Sequence, residues 1–89
     1  MIQEEIIEVK LGEKREKLRK WLNILDEDFG VKMTVIAREL DIQVQNLHNF
    51  KKGKQTISVE KIFILERFLI GKYGKLLLEV EKDYESVSK

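Results

Sequence analysis

The chain has 89 residues, 43% of them hydrophobic and 37% charged, with a net charge of +1, a size that allows one small domain built around one core. It contains no cysteine, which excludes disulfides and thiolate metal sites and leaves packing to hold the fold. No apolar run approaches the roughly 18 residues of a membrane span, and the opening MIQEEIIEVK is acidic rather than signal-like, so a cytoplasmic protein is expected.

Zero prolines and five glycines in so charged a chain predict an all-α fold. The charge is segregated. Lys10 to Lys20 holds six basic residues against two acidic ones, and Ile42 to Val59 holds no acid. The acids gather at Glu4, Glu5 and Glu8, at Asp26 to Asp28, and from Glu79 to Glu85. A nearly neutral chain divided in this way can still present a basic face.

Residues 1–12 alternate weakly (Ile2, Ile6, Ile7, Val9, Leu11) and read as an N-terminal arm, a strand or an extra helical turn. From Glu13 to Asp28 the stripe Leu18, Trp21, Leu22, Leu25 predicts an amphipathic helix ending at Gly30. Trp21 belongs to its inward face, and Asp26, Glu27 and Asp28 diverge around its end as solvated acids. A second helix is predicted from Met33 to Leu40, with Ile36 and Leu40 inward. Between them Ala37, with one methyl group, lets the next helix approach closely. The hinge Asp41-Ile42-Gln43 follows, with Asp41 tolerant of the left-handed conformation and Ile42 plugging the turn.

The third helix runs from Val44 to Lys52 and is capped by Gly53. A fourth opens at the N-cap Ser58 and carries Ile62, Phe63, Leu65, Phe68 and Leu69 to Gly71. A fifth, Lys72 to Glu85, places Tyr73, Leu76, Leu77, Val80 and Tyr84 at helical spacing, for internal packing or for dimerisation. The expected organisation is an arm over 1–12, a helix-turn-helix domain over 13–71 and a C-terminal helix over 72–89.

Leu47 and Phe50 define the buried side of the third helix. Opposite them fall Gln45, His48, Asn49 and Lys52. An ordinary surface helix carries Glu and Lys on such a face. Amides offer a donor and an acceptor together, the pattern that adenine N6/N7 matches bidentately.

Two short helices joined by a tight hinge make a helix-turn-helix, and in its residues this one resembles the lambda-repressor/Cro (XRE-like) family. The resemblance covers roughly Glu13 to Leu69. Ile36-Ala37 stands at the family's Leu-Ala, and Leu40-Asp41-Ile42 at its Leu-Gly-Val. Leu47 and Phe50 match buried positions of its recognition helix, Gly53-Lys54 its Asn-Gly-Lys, and Ser58, Ile62 and Leu65 the start of its fourth helix. The register needs no gap from Ile36 to Leu69. The resemblance implies a compact five-helix domain whose base-contacting positions are Val44, Gln45 and Asn49, with Asn46 and His48 beside them. Phosphate contact is expected from Lys32, Met33 and Thr34 at the second helix and from Lys51, Lys52 and Lys54 after the third. Met33 replaces a phosphate-contacting Gln, Lys32 an N-capping Ser or Thr, Asp41 the turn glycine, Ile57 a common proline, and Lys51-Lys52 the usual Glu-Asn.

The function expected is a sequence-specific double-stranded DNA-binding regulator, a phage or mobile-element type of repressor. It would bind a palindromic operator as a homodimer through Leu76, Leu77, Val80 and Tyr84. The alternative is a protein-interaction module on the same fold (an antitoxin, inhibitor or adaptor domain), with DNA binding secondary or absent. With one histidine, no Gly-rich phosphate loop and no metal-ligand cluster in the sequence, neither an enzyme nor a cofactor is expected.

Overall fold

The computed structural model describes residues 2–88, with side chains described for residues 10–79. Four helices follow in order: α1 (Ile2–Asp28), α2 (Met33–Glu39), α3 (Val44–Lys51) and α4 (Val59–Ser88). Leu18, Trp21, Leu22 and Leu25 of α1 are buried with Met33, Ile36 and Ala37 of α2, Leu47 and Phe50 of α3, and Ile62, Leu65, Leu69 and Leu77 of α4. Leu40 and Ile57, from the connections, complete this core. Nothing charged or polar is buried with them among the described residues. α2 packs on α3, and α1 packs on both α3 and α4.

The all-α expectation fits, but the helix count and the arm need correction. Residues 2–12 are not a separate arm but the first three turns of α1, which carries Gly12 in its interior. Similarly, the fourth and fifth predicted helices are one element that runs through Gly71 and Gly74. An interior glycine costs about 1 kcal/mol against alanine yet keeps its N–H in the ladder. Neither glycine adopts a positive φ. The inward series Ile62, Leu65, Leu69, Tyr73, Leu77 keeps helical phase across both, so burial carries the helix past residues of poor propensity. The boundary drawn at 71/72 therefore falls inside a helix.

Where the chain does turn, left-handed residues close the helices. Gly30 has φ +67°, and beyond it the Val31 amide donates back to the Leu25 carbonyl at 2.8 Å. α2 ends on Asp41 with φ +54°. The Ile42 amide then reaches the Ala37 carbonyl at 2.9 Å and the Asp41 amide the Arg38 carbonyl at 3.4 Å, the paired bonds of a Schellman cap. Gly53, φ +77°, repeats the motif after α3, with Lys54 donating to Asn49 at 2.8 Å and Gly53 to Phe50 at 3.0 Å. Ser58 caps α4 by accepting from the Lys61 amide at 3.2 Å.

The hinge and the helix before it each give a prediction. Asp41 is the one non-glycine in the left-handed region among the described residues. Asp41→Gly should therefore raise stability by about 0.5–1 kcal/mol, net of the extra freedom glycine gives the unfolded chain. A melting temperature that fails to rise would show the aspartate already compensated. Ala37, inside α2, is 2% exposed. Ala37→Leu should cost about 1–3 kcal/mol by overpacking, and an unchanged melting temperature would count against a close α2–α3 approach.

One ion-pair cluster ties α1 to α4. Lys14 Nζ and Lys17 Nζ donate to the two carboxylate oxygens of Glu66 at 2.7 and 3.0 Å. Burial alone would raise the Glu66 pKa, but the two lysines outweigh it and hold the group below its ordinary value. A carboxyl lowered in the folded state contributes stability above its unfolded pKa and loses it as pH falls through the folded value. The stability gap between the wild type and Glu66→Gln should therefore be wider at pH 7 than at pH 3. An equal gap at both would mean the cluster is solvent-screened.

Candidate nucleic-acid interface

The position of α3 is fixed from its C-terminal end. Helix ends leave carbonyls without intrahelical donors, and α1 supplies the donors here. Arg19 Nε donates to the Phe50 carbonyl at 2.9 Å, and Asn23 Nδ2 to the Lys51 carbonyl at 3.3 Å. The Arg19 guanidinium lies 4.9 Å from the Phe50 ring centroid, a cation–π contact. Lys51 Nζ pairs with Asp26. At the end of α2, Lys61 Nζ donates to the carbonyls of Leu40 and Asp41 at 3.0 and 3.3 Å, placing a cation at the negative end of that helix. The hinge is thus held from α4 and the third helix from α1.

With Leu47 and Phe50 fully buried, the opposite face of α3 turns outward. Its amides form a chain. Gln45 Nε2 donates to Asn49 Oδ1 at 3.2 Å, Asn49 Nδ2 to Gln55 Oε1 at 3.2 Å, and Gln55 Nε2 to Asn46 Oδ1 at 3.3 Å. Gln55 reaches this face because the Gly53 cap folds the chain back, bringing the Gln55 amide to 3.4 Å from the Asn49 carbonyl. A primary amide has two N–H groups and a carbonyl that accepts twice. Gln45 thus keeps its carbonyl and one N–H for a ligand, and Asn46 keeps both of its N–H groups. Each group that orients another retains some capacity of its own.

Of the positions expected at bases, Val44 and Gln45 are exposed, while Asn46, His48 and Asn49 are half-buried. All five lie on α3. Gln55 was not anticipated; its one sequence signal is its place two residues beyond the capping glycine.

The phosphate positions divide. Lys32, Thr34, Lys52 and Lys54 are exposed. Met33 is not available: its side chain is 2% exposed and belongs to the core, so an apolar residue at the first turn of α2 serves packing. Lys51 lies about 40° from Leu47 at 100° per residue, which turns it toward α1 and its pairing with Asp26. That pairing also corrects the reading of Asp26 as a merely solvated acid. At the proposed dimer surface Leu76 is 40% exposed, but Leu77 is 2% exposed and belongs to the core, so it cannot face a partner. The side chains of Val80 and Tyr84 lie outside those described.

Among the described residues no helix is long and apolar enough to cross a membrane, and no three side chains are grouped to hold a metal ion. Comparison of the chain with protein-family models, with curated proteins and with solved structures finds no match in any of the three.

Proposed function

We propose that this chain is a sequence-specific double-stranded DNA-binding regulator, acting as a repressor that covers a palindromic operator as a dimer, with α3 as its recognition helix. The observation that carries the reading is the outward face of α3. It presents the amide chain Gln45–Asn49–Gln55–Asn46, flanked by the exposed Lys52 and Lys54, in a stretch without an acid from Ile42 to Val59. A stretch without acids suits a polyanion, amides match base edges, and lysines at the helix end match phosphates. The Asp41 turn and the Lys61 bonds hold this helix at a fixed angle to α2, as insertion into a major groove requires. Occupation of the operator would exclude polymerase.

Selection from a random double-stranded DNA library, at near-physiological salt, tests the reading. The expected result is an enriched palindrome with half-site centres about 10 base pairs apart. Weak, salt-sensitive binding without enrichment would reject sequence-specific recognition and favour a protein partner.

A further inference from the structure

The amide chain on the α3 face has a direction. Gln45 donates to Asn49, Asn49 to Gln55, and Gln55 to Asn46. Each primary amide has two N–H groups and two carbonyl lone pairs, so the inner links Asn49 and Gln55 keep one of either kind. The ends differ. Gln45 keeps both lone pairs and one N–H, whereas Asn46 keeps both N–H groups and one lone pair. The exposed Gln45 and the half-buried Asn46 are neighbours in sequence, yet these bonds join their side chains only by way of Asn49 and Gln55.

A side-chain amide turned end for end exchanges donors for acceptors at nearly the same places. Turning either end of the chain alone sets like against like and loses one bond. Turning Asn49 or Gln55 alone loses both bonds of that residue. Turning all four together keeps every bond and reverses the direction. The chain therefore has two satisfied states: an acceptor-rich Gln45 with a donor-rich Asn46, or the converse.

We propose that this chain makes α3 a coupled reader, in which the base opposite Gln45 and the base opposite Asn46 are chosen as a pair. The inference rests on the operator reading and says how that face selects its site. In the major groove cytosine offers only a donor, guanine only acceptors, and adenine one of each. The direction seen in the structure suits cytosine at Gln45 with guanine at Asn46, and the reversed direction suits guanine with cytosine. Guanine at both places, or cytosine at both, matches neither state and breaks a bond of the chain. Adenine is indifferent, because each end keeps at least one N–H and one lone pair in either state. Amides that read separately would contribute additively, as separated positions in a site do.

Library selection with the full chain, repeated with Gln45→Ala and with Asn46→Ala, identifies the position each residue reads as the one whose preference is lost. Four duplexes with C–G, G–C, G–G and C–C at those positions then form a double-mutant cycle. The product of the first two affinities should exceed that of the last two by at least about fivefold, the lower end for two amide bonds. Gln55→Ala, at an exposed residue, should leave the melting curve in place and make the cycle additive although Gln45 and Asn46 both remain. Gln55→Glu is the sharper variant. A carboxylate only accepts, so Asn49 and Asn46 both donate to it and both ends become acceptor-rich. The C–C duplex, disfavoured by the wild type, should then bind best of the four, while the added negative charge weakens all of them alike. An additive wild-type cycle, a non-additivity that survives Gln55→Ala, or an unchanged preference in Asn46→Ala overturns the proposal. Those outcomes leave the operator reading standing, whereas a selection with no enriched site rejects that reading and this inference together.

Discussion

Phe50→Ala is expected to destabilise the domain by about 3–5 kcal/mol. For a chain of this length total stability is on the order of 4–13 kcal/mol, so one truncation removes a large share of it. Three features at Phe50 combine. The side chain is fully buried, the ring is a platform for Arg19 at 4.9 Å, and the carbonyl receives both Arg19 Nε and the Gly53 amide. The backbone acceptor survives truncation, but the ring that positions the guanidinium does not. A void would open where α1 grips the end of α3. Phe50→Leu keeps most of the apolar volume and should cost clearly less. Urea melts followed by circular dichroism would measure both, and a loss below about 1 kcal/mol for Phe50→Ala would show that α3 is not held by its inward face.

The same residue shows why most of the fold could be read from the chain. Leu47 and Phe50 in α3, like Leu18, Trp21, Leu22 and Leu25 in α1, recur at helical spacing among polar neighbours, and burial followed that spacing in each case. The helix stops were legible where left-handed residues were needed, at Gly30, Asp41 and Gly53. The errors share a cause. Gly12 and Gly71 resemble stops in sequence, but a stop needs a backbone that turns, and each of these sits inside a helix. Composition carries no information about φ.

The α3 face was legible only in part. That Gln45 and Asn49 point outward follows from the position of Leu47. Lys51 was grouped with Lys52 by adjacency, although 100° of rotation separates neighbours on a helix and sends one to Asp26 and the other to solvent. Met33 was assigned by its place in a motif, and burial overrode the motif. Gln55 lies outside any helical period and joins the face only through the folded-back loop, which no spacing rule reports.

Asn49→Ala should have the largest effect on recognition with little effect on stability. The residue is central to the amide chain, accepting from Gln45 and donating to Gln55. Removing it breaks both bonds, and Gln45 on one side and Gln55 with Asn46 on the other lose their common partner. A bidentate amide–base match discriminates by roughly 1–3 kcal/mol, so preference for the selected site over a single-base variant should fall about 5- to 150-fold. The face is solvent-accessible and alanine is the better helix former, so the melting temperature should hold. Lys52→Ala is the contrasting case. It should weaken all sequences alike and reduce the slope of log affinity against log salt by about 1. Gln55→Ala divides the two roles that the amide chain combines. If Gln55 only orients Asn49 and Asn46, its loss should reduce discrimination less than loss of Asn49. A loss equal to that of Asn49→Ala would place Gln55 itself at a base or make the intact chain the recognising unit. Unaltered preference after Asn49→Ala would remove the α3 face from the recognition surface.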